Sequence, residues 1–113
     1  MSTLYTIIGL FALGAIVGLY LLTLVLQSKE TPKAIVLLHG VFVVVALVTL
    51  IVYTTKNTPG PVESLVLFII AALGGIVVAF RDFTGKKIPR WLAVVHGLVA
   101  VTGFIFLLVF ALG

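Results

Sequence analysis

Two histidines, His39 and His96, are the only ones in the chain, and they stand in matching settings: TPKAIVLLHG (31–40) and IPRWLAVVHG (88–97). Their separation is 96 − 39 = 57, and Pro32/Pro89 and Lys33/Arg90 share that offset. Each histidine lies in an apolar stretch long enough to cross a bilayer, where ionisable groups are costly and usually functional. Imidazoles at such depth can ligate a metal, exchange a proton, or hydrogen-bond to a neighbouring helix.

The elements that carry them follow from composition. The chain has 113 residues, 63% hydrophobic and only 9% charged, against roughly a quarter charged in an ordinary soluble domain. Stretches of about 20 apolar residues span a membrane, and four qualify: 4–27, 33–54, 62–83 and 89–112. QSKETPK, TTKNTPGP and RDFTGKKIPR, rich in charge and turn residues, separate them. The expectation is a single integral membrane domain over 1–113. MSTLY lacks the basic start of a secretory signal, and none is expected. With no cysteine, disulfides, thiolate metal sites and covalent haem attachment are excluded. Lys29 and Lys33 flank the first loop and Arg81, Lys86, Lys87 and Arg90 the third, whereas only Lys56 marks the second. The positive-inside bias puts loops one and three in the cytoplasm and both termini outside, as in a bacterial inner membrane. The net charge of +4 therefore reads as a topology and phospholipid signal, with no nucleic-acid partner.

The two halves look like a duplication. FALGAIVGLYL (11–21) and AALGGIVVAFR (71–81) match at offset 60 through Leu13-Gly14 and Leu73-Gly74. The change from 60 to 57 predicts a third loop three residues shorter than the first. The fold class is all-α: an up-down bundle of four transmembrane helices, made of two tandem hairpins (4–54 and 62–112) with pseudo-twofold symmetry along the membrane normal. Pro32 and Pro89 belong to the opening turns of the second and fourth helices. Each histidine follows its proline by seven residues, roughly 10 Å along the helix. Both therefore sit at one depth, on helices placed diagonally across the bundle.

Diagonal helices lie farther apart than the 8–10 Å of direct contact. A haem iron suits such a gap, taking one axial nitrogen from each side. Small residues leave room for a flat macrocycle: Ala46 and Gly103 one heptad beyond the histidines, and Gly14, Gly18, Ala71, Gly74 and Gly75 on the intervening helices. Lys33, Arg90 and Arg81 are placed to pair with propionates, and Phe42, Phe80, Phe11 and Phe68 to supply an apolar wall. Other readings of the same residues stay open. Gly14-x-x-x-Gly18 is also an ordinary small-xxx-small packing seam, and a membrane histidine also serves as a hydrogen-bond donor between helices. Tyr5, Tyr20, Tyr53 and Trp91 read as interfacial belt residues.

With His39-Gly40, His96-Gly97 and the glycines of helices one and three, the chain resembles a small membrane b-type cytochrome, a helical bundle holding haem b by histidines. The resemblance implies one non-covalent haem b, His39 and His96 as axial ligands, and a quinone or redox protein as partner. The chain departs from the larger cytochrome b561 group, which holds two haems with four histidines. Two other classes compete. A small four-helix transporter or channel, of the size of small multidrug exporters, would need proton coupling through the histidines, because Glu30, Glu63 and Asp82 all lie at helix ends. A non-catalytic subunit of a membrane complex would use the bundle only as an interaction surface. In any of these classes a second copy can complete the assembly as a homodimer. No stand-alone enzyme is expected.

Overall fold

The computed structural model describes residues 2–113. These form four helices: α1 (Ser2–Leu26), α2 (Lys33–Lys56), α3 (Val62–Phe83) and α4 (Arg90–Leu112). All four are long and apolar enough to cross a membrane. The longest dimension, 43 Å, equals that of a bilayer with its headgroups, about 40–45 Å. The chain is an integral membrane protein built as an up-down bundle. Around the ring α1 packs on α2 and α4, and α3 packs on α4 and α2. No close backbone approach joins α1 to α3 or α2 to α4, so the histidine-bearing helices are diagonal.

The helix boundaries correct one expectation. Leu26 to Lys33 and Phe83 to Arg90 leave six residues each, 27–32 and 84–89, so loops one and three are equal in length. The two hairpins therefore correspond at a single offset of 57 from helix to helix, and the Leu-Gly match at 60 does not mark structurally equivalent positions. Both loops leave their helix through the same hydrogen bonds. Lys29 N–H donates to Leu24 O and Ser28 N–H to Val25 O; one repeat later Lys86 N–H donates to Arg81 O and Gly85 N–H to Asp82 O. This closure needs a left-handed residue just past the helix. Ser28 (φ 57°) and Gly85 (φ 73°) supply it at equivalent positions. Pro32 and Pro89 have extended backbones and stand just before α2 and α4 as N-caps, one residue ahead of the first helical position. At its other end α2 runs two residues beyond the expected Thr54. The Thr54 and Thr55 hydroxyls donate to Leu50 O and Val52 O, so these polar groups are satisfied within the helix.

The tightest packing lies in the half of the bundle away from loops one and three. Phe11 and Phe68, exact repeats of each other at 57, stack with ring centroids 3.8 Å apart and planes 3° from parallel. Leu4, Ile7, Ala46, Leu50 and Leu107 surround them, all buried. Gly103 takes the place of Ala46 in the second repeat; a Cβ there would meet Leu67 Cβ at 3.3 Å and the Phe68 ring at 3.5 Å. The buried Ser64 donates its hydroxyl to Gly103 O at 2.9 Å and ties α3 to α4. Outward-facing Ile16, Leu19, Ile76 and Leu98 are exposed, as a lipid-facing surface requires. In lipid, where transfer from water offers no drive between helices, this contact packing holds the halves together. Phe68→Ala is expected to lower bundle stability by about 3 kcal/mol, read by denaturing-detergent titration. Phe80→Ala, whose ring faces outward, should leave the titration midpoint within error.

Candidate functional site

The site is assembled from one side chain and one carbonyl per hairpin. In α2 the residue seven after Pro32 faces back onto α1, and His39 Nδ1 lies 2.8 Å from Gly14 O. In α4 the same position faces α3, and His96 Nδ1 lies 2.7 Å from Ala71 O. A carbonyl oxygen only accepts, so each Nδ1 carries the proton and donates. In a neutral imidazole that leaves Nε2 as the bare lone pair. Among the described residues neither Nε2 makes a hydrogen bond.

Glycine makes this approach possible. A Cβ at Gly18 would lie 2.8 Å from His39 Cε1, and one at Gly75 would lie 2.9 Å from His96 Cε1. Gly18 and Gly75 are equivalents at offset 57, as are Gly14 and Ala71, which explains why the histidines and their seats share one register. Gly74 is peripheral, with its nearest histidine atoms at 3.8 Å. The sequence alone suggests these glycines as space for a ligand. In the structure Gly18 and Gly75 admit the imidazoles against the preceding helix, and the carbonyls of Gly14 and Ala71, which sequence reasoning missed, are the partners. The pairing was within reach: 39 − 14 and 96 − 71 both equal 25, a separation that recurs wherever the hairpins are equal.

Across the bundle axis the two rings face each other with centroids 6.5 Å apart and planes 87° from parallel. Two imidazole nitrogens sharing one metal at about 2 Å each would hold their ring centroids roughly 6 Å apart. The donor set also bears on which metal fits. Among the described residues no group of three histidine, cysteine, aspartate or glutamate side chains comes together, whereas zinc sites use at least three protein ligands. Two nitrogens suffice for a group that brings its own further ligands, as haem would.

The remaining expected residues lie elsewhere. Ala46 and Gly103 sit beside the stacked Phe11–Phe68 pair, where they give those rings room. Lys33, Arg90 and Arg81 are at the face of loops one and three, and each has a protein partner. Lys33 Nζ pairs with Asp82 Oδ1 at 2.7 Å, and Thr31 Oγ1 donates to Asp82 Oδ2 at 2.6 Å. Arg90 Nη2 donates to Ser28 Oγ at 2.7 Å, and Arg81 Nε to Lys87 O at 2.8 Å. The Lys33 and Thr31 bonds to Asp82 and the Arg90 bond to Ser28 cross between the hairpins, so the loop face is stitched in both directions. Asp82, a helix-end residue of no evident role in the sequence, anchors one of these crossings.

The fit at the glycines gives a direct test. Gly18→Ala and Gly75→Ala should each force an imidazole off its carbonyl and destabilise the bundle by about 1–3 kcal/mol. Gly9→Ala, where an added Cβ meets nothing within 4 Å, should be silent. The readout is the denaturing-detergent midpoint together with loss of the downfield Nδ1 proton resonance in the two seat variants.

Comparison of the chain with protein-family models, curated proteins and solved structures finds no match in any of the three.

Proposed function

We propose that this protein binds one non-covalent haem b between His39 and His96 and acts in electron transfer, with a quinone or a redox protein as partner, or in haem handling. The observation that carries the reading is the pair of Nδ1–H to carbonyl bonds. Each fixes the tautomer and ring orientation that a metal-ligating histidine needs, and such outer partners also raise ligand basicity. A purely structural pair would use the same bonds, but it would leave two imidazole nitrogens without hydrogen-bond partners inside the membrane-spanning bundle.

His39 and His96 would hold the haem iron in this reading. Gly14, Gly18, Ala71 and Gly75 form the narrow flank that admits both rings. When bound, haem supplies a one-electron redox centre whose potential is set by its axial ligands and by burial. The chain's own part is to hold two neutral imidazoles at one depth and to keep their Nδ1 protons committed to backbone. With loops one and three in the cytoplasm, the histidines stand nearer the cytoplasmic side of a bacterial inner membrane.

The test is optical. Protein purified from haem-sufficient cells should be red, with a sharp Soret band and split visible bands on reduction. His39→Ala and His96→Ala should each lose the six-coordinate spectrum and at least tenfold in haem retention. A colourless preparation that takes up no added hemin would sink the proposal. Co-purification of a membrane partner with both histidine variants silent would favour the subunit reading instead.

A further inference from the structure

The duplication supplies an internal control on the loop face, and the two repeats differ there in a directed way. A groove of about 460 Å³ is lined by Arg81, Lys87, Pro89, Arg90 and Trp91. The equivalent positions of the first repeat, 57 residues earlier, are Leu24, Glu30, Pro32, Lys33 and Ala34. The second repeat thus brings three cations and an indole to a place where the first has one cation, a carboxylate and two small or apolar residues. The first repeat's one cation, Lys33, is already paired with Asp82.

Among the groove's lining residues there is no carboxylate to neutralise the cations. Bonds to loop atoms hold both guanidinium groups but occupy few of their donors: Arg81 uses Nε on Lys87 O, and Arg90 uses one Nη on Ser28. A neighbouring cavity of about 410 Å³ shares Lys87 and Arg90 but contains Glu30 and Asp82, which repel an anion. Trp91 is 68% exposed and stands at the second position of α4, where the apolar span begins. Tryptophan at that level marks the headgroup zone of a bilayer. Arginine's planar fork matches phosphate oxygens in two-point contact, and basic pockets beside membrane helices are suited to anionic headgroups.

We infer that the groove formed by Arg81, Lys87, Arg90 and Trp91 is a binding site for the phosphate of an anionic phospholipid headgroup. Phosphate oxygens accept from the free guanidinium donors and the Lys87 ammonium, while the Trp91 ring lies along the glycerol and upper acyl region. None of the hydrogen bonds of Arg81 and Arg90 goes to a histidine.

Trp91 is the only tryptophan, so its fluorescence reports on the groove alone. Full-length protein in neutral detergent is titrated with short-chain phosphatidylglycerol, with the matching phosphatidylcholine, and with inorganic phosphate. The expected result is a saturable change in emission with phosphatidylglycerol only, and retention of one such lipid in native mass spectrometry. Arg81→Gln/Lys87→Gln should weaken that binding at least about tenfold, as loss of charge-assisted contacts predicts. Lys29→Gln/Lys86→Gln removes the same charge from the same face and should leave it unchanged. Equal responses to phosphatidylcholine, or equal losses in both double variants, would overturn the site. Saturation by inorganic phosphate would overturn the lipid and assign a soluble anion. Should the first double variant fail to fold, Lys87→Gln serves in its place, since the exposed Lys87 side chain makes no bond in the structure. The expected result is then at least about a threefold weakening, and unchanged binding overturns the proposal.

Discussion

Everything at the centre of this bundle depends on one hydrogen bond made twice: an imidazole Nδ1–H donated to a main-chain carbonyl of the preceding helix. Helical carbonyls already accept from within their own helix, but each oxygen has a second lone pair. In lipid no water competes for it. The bond removes the penalty of carrying a polar nitrogen into the apolar layer and sets the rotation of α2 against α1 and of α4 against α3. Once both hairpins are set this way, symmetry alone brings the two rings to one depth on opposite sides of the axis. The glycines follow from the bond as its steric condition, because a methyl group at Gly18 or Gly75 would sit inside the imidazole contact distance.

The two halves of the bundle along the membrane normal have divided the work. Away from loops one and three, the stacked phenylalanines and their aliphatic collar provide dense, specific packing. Toward those loops the axis carries the polar pair, and the helix ends are joined by Lys33–Asp82 and Arg90–Ser28. A polar site held between a rigid packed end and a stitched loop face can keep its geometry although its own contacts are few. The repeats are unequal where they meet the surroundings and equal where they meet each other. Phe11 and Phe68, Gly18 and Gly75, His39 and His96 are conserved between the halves; Arg81, Lys87 and Trp91 have no like counterparts.

Much of this was legible in the residues. Four apolar runs broken by charged, proline-bearing segments could form only membrane helices, since the chain has too few polar residues to cover so much apolar surface in water. The common spacing of Pro32 and Pro89 from their histidines placed both imidazoles at one depth, because helical rise per residue is constant. Other features stayed out of reach. The glycine-rich helices align about as well at 60 as at 57, and nothing in apolar one-dimensional text separates a true register from a shifted one.

The sequence by itself determined the number of spans, their alternating direction, the diagonal placement of the histidines and the clustering of charge at one face. Those follow from local quantities: hydropathy, chain length and helical rise. Only the tertiary structure decided the partner of each imidazole, the uniform offset of the duplication, and the use of Ala46 and Gly103 as room for stacked rings. It alone drew Thr31, Lys33 and Asp82 from opposite halves into one contact. These depend on how far each helix is rotated about its own axis. That rotation is set by close contacts between helices, where a single methyl group or carbonyl lone pair decides which face turns inward.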